Sequence, residues 1–314
     1  MPVTLAPPKA KAHRHHLGLM GCKFALTAIH HNPQVAWDAL RVGVKEIERI
    51  ERLISSWRPA SQTGQINKKA GIQSVKVDRE LFELIKRSIQ VSKITRGAFD
   101  ISGTVARDYW KITNEESTMP SPAIIARLRE LINYQHIILD EDRQTVLLAK
   151  KGMKIGFGAI GKGYAAMRAR VVMGQMGIEN GLINASGDLL CWGQPMNKDH
   201  WTIKIPDPEK TDMVLASLNI PNGSVVTSGG YEKYALINGK RYSHIIDPRT
   251  GEPAEGVKSV SIVCPNPELG DALATTVTVL GEVEGLALIN RLKGIECLLV
   301  NHQGEIRYSD NLQV

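Results

Sequence analysis

Apolar residues recur at helical spacing through the first half of the chain. Pro33 suits the first turn of a helix, and the stripe that follows it has the period of an amphipathic helix; its members are Leu40, Val44, Ile47, Ile50 and Ile54. Similar patterns predict three further helices, which begin after Asp78, at Ser121 and at Lys162, the last one ended by Gly177. Short apolar segments between these helices predict strands at 19–30, 136–139, 145–148 and 153–157.

From about Gly181 onward, strand patterns dominate the chain. Asn238 and Gly239 form a strong hairpin signal between two of these strands. A buried helix is predicted over 272–280, ended by Gly281. The other apolar segments of this half predict strands at 182–185, 189–192, 201–205, 225–227, 234–237, 241–246, 258–264, 297–300 and 305–308. The mixture indicates an α+β protein, and because no linker composition divides the chain, we expect two interleaved α/β lobes with a ligand site between them.

The composition is typical of a folded domain and limits the classes of ligand that we expect. Hydrophobic residues make up 43% of the 314 residues and charged residues 23%, which is ordinary for globular proteins. The net charge of +7 is modest and evenly spread, and aromatic residues make up only 5%. We therefore expect anionic ligands and no nucleic-acid partner. Residues 1–17 are basic and lack an apolar stretch, so we expect a disordered tail there and one folded domain over 18–314.

The cysteines and the terminal segment bear on location. The chain has four cysteines without a CxxC pair, which predicts reduced thiols and a cytoplasmic protein. No uncharged apolar run approaches the roughly 20 residues of a membrane span. Residues 19–22 resemble a lipoprotein cleavage site without the apolar stretch that precedes one. A periplasmic or lipid-anchored protein is the alternative if a leader was removed. The oligomeric state is not indicated.

A glycine-rich bend precedes the helix that begins at Lys162. Gly156, Gly158 and Gly161 fit the G-x-G-x-x-G motif of dinucleotide-binding folds, and Gly156 to Lys162 also fits the G-x-x-x-x-G-K of a P-loop. Gly163 stands where a P-loop carries Ser or Thr. Both motifs place backbone N–H groups and a positive helix end near phosphate. A tight turn without a ligand is the third interpretation, and the three stay open on this segment alone.

Two further segments carry groups able to do chemistry. His244 lies at the end of a predicted strand, before a turn defined by Asp247, Pro248 and Gly251; a histidine there is either a structural residue or a proton acceptor that works near neutral pH. Asp100 follows Phe99 in a turn, where an acid is more often a cap than a ligand contact.

Asp271 and Thr275 are four residues apart and so share one face of the predicted helix. Carboxylate and hydroxyl oxygens are hard ligands that suit Mg²⁺. The other interpretation is an acid that complements the helix dipole and a threonine that bonds to its own backbone. The two interpretations are equally good for this segment taken alone.

In this order, the segments resemble the ApbE family, the FAD:protein FMN transferases. The resemblance extends from about residue 19 to 300, nearly the whole chain. Its most specific segments are His244 to Gly251 and Asp271 to Thr275. The other matching segments are 20–21, 55–67, 97–100, 158–164, 184–188 and 227–229.

The resemblance implies a fold and an activity. It implies a T-fold-related arrangement with FAD bound between the lobes, and transfer of FMN through a phosphoester to Thr or Ser of a target flavoprotein, with release of AMP. It also implies a magnesium ion, with manganese as the alternative, held by the Ala159 carbonyl, Asp271 and Thr275. The FAD contacts that it implies are Met20, Trp57, Ala98, Phe99, Asp100, Lys162 and Ile245. Within that chemistry, His244 is our candidate general base, with Asp247 orienting it.

The chain departs from the family pattern at three positions. Gly156 stands where the family usually has Asp, Met167 replaces a second Asp, and Ser186 replaces the first glycine of a Gly-Gly-Asp. Loss of the Asp at 156 removes a hydrogen-bond acceptor for the cofactor. Two other functions are therefore kept beside the transferase: an FAD pyrophosphatase that yields FMN and AMP, and a non-catalytic FAD-binding protein.

Overall fold

The computed structural model describes residues 9–110, 117–210, 212–229 and 234–312. Its α-helices are α1 Pro33–Ile54, α2 Gln62–Lys68, α3 Arg79–Ile94, α4 Pro122–Leu131, α5 Gly161–Gln175 and α6 Pro267–Ile289. Two 3-10 helices cover Ile101–Asp108 and Tyr134–His136. The predicted start of α1 is confirmed: Pro33 occupies its first turn, and the Asn32 side chain accepts hydrogen bonds from the backbone amides of Gln34 and Val35.

Antiparallel pairing holds the described strands together. The strands are β1 Lys11–Leu19, β2 Cys22–His30, β3 Val75–Lys76, β4 Ile137–Asp140, β5 Thr145–Leu148, β6 Asn180–Ala185, β7 Asp188–Trp192, β8 Trp201–Pro206, β9 Val214–Ile220, β10 Gly223–Gly229, β11 Tyr234–Ile237, β12 Lys240–Ser243, β13 Val257–Cys264, β14 Glu296–Asn301 and β15 Ile306–Tyr308. Eight of them form one sheet in the order β1-β2-β6-β7-β10-β13-β14-β15. The order β3-β5-β4 makes a second sheet, and β8-β9 and β11-β12 are separate hairpins.

Strand β1 corrects the prediction of a disordered tail over 1–17, which is wrong for residues 11–17. These residues pair with β2 from Lys11 opposite His30 to Leu19 opposite Cys22, across a turn in which Met20 and Gly21 have positive φ. β1 lies at the edge of the sheet and is mostly exposed. Charged side chains are typical of such an edge strand. Because the segment is rich in charged and histidine residues, it lacks the apolar alternation by which a strand is recognised in a sequence.

The segment 153–157 is not a strand, which corrects a second prediction. Most of its residues are buried, but its backbone groups form hydrogen bonds with groups outside any strand. The Asn67 side chain accepts from the Ile155 amide at 2.8 Å and donates to the Ile155 carbonyl at 2.9 Å, and the Gly156 amide donates to the Ile101 carbonyl at 3.0 Å. A side-chain amide thus takes the place of a partner strand, so an apolar run alone cannot tell the two cases apart.

Separate hydrophobic clusters cover the two halves of the large sheet, which confirms the α+β fold with two interleaved lobes. The larger cluster packs α1, α3 and α5 against the β2–β6 half. A second cluster packs α6 against β10, β13 and β14, and a third joins the β8–β9 hairpin to the opposite face. A small cluster of Ala98, Ile245 and Val279 joins segments from both lobes.

Helix α6 is longer than the predicted 272–280, because it begins at Pro267 and continues to Ile289 across a kink at Gly281, whose φ of 78° is not helical. By length and composition alone, α6 could cross a membrane. More than half of its apolar window, 56%, is buried inside the structure. The helix therefore has the character of a core helix.

Candidate functional site

A cavity of about 170 Å³ opens between the two lobes. It brings together most of the site residues predicted from the sequence. The predicted residues that line it are Ala98, Phe99, Asp100, Ala159, Lys162, His244, Ile245, Asp271 and Thr275. Typical small-molecule clefts have about 300–1,000 Å³, so this cavity would hold only part of a dinucleotide, and the rest would lie at its open side.

Three predicted site residues do not occur among the described residues that line the cavity: Met20, Trp57 and Asp247. The Met20 Cε atom lies 3.6 Å from the point that a Cβ on Gly161 would occupy, so Met20 borders the start of α5. Trp57 is 75% exposed in the loop that follows α1. An exposed aromatic ring of this kind is available to stack on a planar ligand.

The first turns of α5 and α6 touch, and this contact builds the cavity floor. A Cβ on Gly163 would lie 2.0 Å from the Pro267 carbonyl oxygen, so only glycine allows the two helices this close. The P-loop interpretation is wrong, because a P-loop follows a strand and the segment 153–157 is not a strand. The dinucleotide-fold interpretation is also wrong, since the described strands pair antiparallel and form no parallel β-α-β unit.

Lys162 lies between two acids at this contact. Its ammonium group forms an ion pair with Asp188 and lies 3.8 Å from the Asp271 carboxylate. Asp188 also accepts a hydrogen bond from the Thr227 amide at 3.1 Å. Burial, offset by the attraction of Lys162, raises the pKa of both carboxyls. The sequence placed Asp188 inside a matching segment without giving it a role; here it fixes the Lys162 side chain.

Asp271 and Thr275 both face the cavity from α6. Glu268, not Asp271, occupies the first turn of α6. Thr276 and Thr278 donate to the carbonyls four residues earlier, at 2.8 and 2.9 Å, whereas Thr275 makes no such bond within the described part of the chain. The interpretation as a dipole partner and a backbone-bonded threonine is therefore wrong for this pair.

Asp100 also lines the cavity, but its carboxylate is used locally. It accepts hydrogen bonds from the Ser102 amide at 2.8 Å, the Ser102 hydroxyl at 2.7 Å and the Tyr134 amide at 2.6 Å. Burial raises the pKa of this carboxyl, and the three hydrogen bonds oppose that rise. The carboxylate thus holds the 98–102 segment in the shape that presents Ala98 and Phe99 to the cavity.

His244 and Ile245 enter the cavity from the segment after β12. Ile245 is buried against Ala98, and its carbonyl accepts from the Ala254 amide at 2.8 Å. The predicted partner of His244 faces elsewhere: the Asp247 carboxylate accepts from Arg249 Nε at 3.0 Å and Nη2 at 2.8 Å. Asp247 thus stabilises the turn that carries His244, and a role in orienting the imidazole stays a prediction.

The space beside Gly156 explains the missing family Asp. A Cβ on Gly156 would lie 2.6 Å from the Thr104 Oγ1 atom, and one on Gly158 would lie 2.9 Å from the Arg107 Nη2 atom. Thr104 and Arg107 line the cavity from the 3-10 helix Ile101–Asp108. No sequence motif marked either residue, because their approach to the bend depends on tertiary packing.

Sequence comparisons identify the family of the chain. The ApbE family model matches residues 20–299. The chain is 33% identical over 290 residues to a FAD:protein FMN transferase of Klebsiella pneumoniae (strain 342), which covers 92% of this chain and 89% of that protein. It is 30% identical over 278 residues to a FAD:protein FMN transferase of Treponema pallidum (strain Nichols), with 84% and 77% covered.

Solved structures share the fold. The ApbE protein from Thermotoga maritima superposes with a TM-score of 0.88 and 29% identity, over 96% of this chain and 97% of that chain. The apo form of the flavinyl transferase ApbE from Pseudomonas stutzeri gives a TM-score of 0.84 at 23% identity, over 99% and 97%. The second likeness concerns the fold alone.

Proposed function

Because the chain belongs to the ApbE family, which matches residues 20–299, we propose that it is a FAD:protein FMN transferase. Such an enzyme moves FMN from FAD to a Thr or Ser hydroxyl of a target flavoprotein and releases AMP. Relatives that bear this name align with most of the chain. The observation that carries the proposal is that Lys162, Asp271, Thr275 and His244 line one cavity, although they come from distant segments.

The oxygen donors of the cavity fit Mg²⁺. The Asp271 carboxylate, the Thr275 hydroxyl and the Ala159 carbonyl would hold the ion, and all are hard ligands. Asp271 carries a buried negative charge, and its hydrogen bond from the Gly163 amide is long, at 3.4 Å. A bound cation would compensate that charge and neutralise the charge that develops on the phosphate oxygens. Mn²⁺ suits the same oxygen donors.

The described residues contain no cluster of three or more His, Cys, Asp and Glu side chains with metal-ligand geometry. One carboxylate with neutral oxygens suits Mg²⁺, which usually keeps water and substrate phosphate among its ligands. Metal binding should therefore be stronger with the dinucleotide than without it.

Lys162 would bind the phosphate that leaves with AMP. Its side chain is held by Asp188 and is 28% exposed toward the cavity. A fixed ammonium group stabilises charge on the departing phosphate without reorganising during the reaction. The exposed backbone around Gly158 would add amide donors at the start of α5.

His244 would accept the proton of the acceptor hydroxyl. As that proton moves to the imidazole, the hydroxyl oxygen bonds to the phosphorus of the FMN half, and the bond from this phosphorus to the bridging oxygen breaks. The bridging oxygen leaves with its electron pair on AMP, so charge and atoms balance. Positioned acid–base groups of this kind contribute about 10²–10⁴-fold to rate.

The exposed Trp57 ring would stack on one ring system of FAD outside the cavity. The cavity itself would then hold the diphosphate, in keeping with its small volume. The open side also gives an acceptor loop access to the reacting phosphorus.

Incubation with FAD, Mg²⁺ and a flavoprotein acceptor tests this function. We expect acceptor that stays fluorescent after denaturation, together with AMP in equal amount. An acceptor whose target Thr or Ser is replaced by Ala should remain unlabelled. FAD binding without transfer to any acceptor, with either metal, would refute the transferase.

An FAD pyrophosphatase is the second candidate, favoured by the openness of the cavity, which lets water reach the same phosphorus. AMP release without acceptor, at a rate that added acceptor leaves unchanged, would establish it. Tight FAD binding without AMP after long incubation would instead establish a non-catalytic binding protein.

A further inference from the structure

A second cationic side chain lines the cavity besides Lys162. Arg107 belongs to the 3-10 helix Ile101–Asp108. Its Nη2 atom lies 2.9 Å from the point that a Cβ on Gly158 would occupy, so the guanidinium group rests on the glycine bend. The absence of a side chain at 158 makes that position available. The next residue, Ala159, carries the carbonyl that we assign to the metal.

The two cations differ in their partners. Lys162 is compensated by Asp188 and Asp271. Arg107 forms no ion pair with any carboxylate among the described residues, and burial, which acts alone, lowers its pKa. Its side chain stays accessible at the cavity mouth. An exposed guanidinium group without a carboxylate partner among the described residues is available to bind an anion that enters the cavity.

The wall beside Arg107 has changed its hydrogen-bonding character relative to the family pattern. Gly156 offers no acceptor where the family usually carries Asp, and Thr104 fills the space that an Asp Cβ would need. Arg107 presents only donors at the adjacent Gly158. The guanidinium group therefore favours a ligand group that accepts hydrogen bonds, whereas the Thr104 hydroxyl can donate or accept.

We propose that Arg107 binds a phosphate oxygen of the substrate's diphosphate, which is then held between Arg107 and Lys162. The planar guanidinium group matches phosphate oxygens with paired donors, which makes Arg well suited to this contact. The inference rests on the proposed function for the identity of the dinucleotide. It adds a specificity residue that the resemblance did not supply.

Calorimetry on the full chain tests this contact with three ligands: FAD, ADP and riboflavin, each with Mg²⁺. For Arg107→Met we expect FAD and ADP to bind about ten- to a hundred-fold more weakly, the loss typical of a charged hydrogen bond. Riboflavin lacks phosphate and should bind unchanged. Arg107→Lys keeps the charge without the paired donors and should recover part of the loss.

Arg143→Met is the matched control, because Arg143 is exposed on the β4–β5 turn and the substitution removes the same charge. It should leave all three affinities unchanged. Unchanged FAD and ADP affinity in Arg107→Met would overturn the inference. Equal weakening of riboflavin would also overturn it, since the contact would then be to the flavin or to the fold.

Calorimetry measures binding and tests the Arg107 contact, whereas acceptor labelling measures transfer and tests the proposed function. The two can therefore fail separately. A wild-type chain that binds FAD and ADP through Arg107 but labels no acceptor refutes the transferase and supports the contact. Normal labelling with no effect of Arg107→Met on affinity refutes the contact alone. Wild-type protein that binds neither ligand would overturn both.

Discussion

Asp100 and Asp271 are two acids that line the same cavity and whose carboxylates have different partners. Asp100 accepts three short hydrogen bonds from its own neighbourhood. The Asp271 carboxylate accepts from the backbone amides of Lys162 and Gly163, the latter at a long 3.4 Å, and lies 3.8 Å from the Lys162 ammonium group. A carboxylate held by short hydrogen bonds shapes the chain around it, whereas one with long contacts can exchange them for a ligand. Asp100 therefore shapes the cavity, whereas Asp271 is the candidate metal ligand.

Replacing Asp271 should have the largest effect. We expect Asp271→Asn to lower FMN transfer on the order of a thousand-fold, because the isosteric amide cannot supply a negative charge to the metal. Stability without Mg²⁺ should change little, since the cost of burying that charge disappears. AMP release and urea unfolding measure the two effects. Asp38→Asn, which removes an exposed acid paired with Arg41, is the control, and wild-type turnover in Asp271→Asn would show that the metal lies elsewhere.

His244→Ala should have the second largest effect on transfer. We expect transfer to fall about a hundred-fold while FAD affinity changes less than threefold, since the imidazole acts on the acceptor hydroxyl. Single-turnover labelling and calorimetry separate the two quantities. If FAD binding is lost and the remaining rate is normal, His244 is a cofactor contact and not the base.

Asp100→Asn should lower the stability of the fold and leave metal binding unchanged. The amide would direct an N–H group at the Tyr134 amide or at Ser102, so we expect a loss of about 2 kcal/mol in the free energy of unfolding. The thermal shift produced by Mg²⁺ with ADP should persist. A large loss of FAD affinity with unchanged stability would mean that this carboxylate contacts the cofactor directly.

The pH dependence should reveal Asp271 as well. Its pKa is raised from 3.8 to about 6, chiefly by burial, so between these values the folded protein without metal binds more protons than the unfolded chain. This group therefore makes the metal-free protein more stable as pH falls through that range. Metal binding needs the deprotonated carboxylate, so the stabilisation by Mg²⁺ should shrink from pH 7.5 to 5.5. Thermal melts with and without Mg²⁺ should show these opposite trends, and Asp271→Asn should remove both.

The smallest effect concerns the β6–β7 turn. Ser186 has a φ of 56°, and Gly187 follows with 101°, where the family pattern has glycine at both positions. Left-handed backbone costs a serine about 1 kcal/mol, so Ser186→Gly should raise the free energy of unfolding by up to that amount. Lower stability in the variant would mean that the serine side chain makes a compensating contact.

Local patterns predicted most helices and strands, and two segments were missed or misassigned for different reasons. Pro33 and the Asn238–Gly239 turn act within a few residues, so the start of α1 and the β11–β12 hairpin followed from sequence. Asp78 precedes α3 as predicted, but its side chain accepts from Gln62 and makes no cap hydrogen bond. β1 was missed because an edge strand needs no apolar face. The segment 153–157 was misassigned because its partner is the Asn67 side chain, far away in the chain.

The features of the site also divide into those that follow from the sequence and those that depend on tertiary contacts. Motif order and residue chemistry by themselves determined the family, the carboxylate–hydroxyl pair on α6 and the lysine at the start of α5, because these depend on spacing along the chain. Only the tertiary structure decided that Gly163 must be glycine, that Asp188 holds Lys162 and that Arg107 reaches the bend. Those facts depend on contacts between segments distant in sequence, and no local pattern records them.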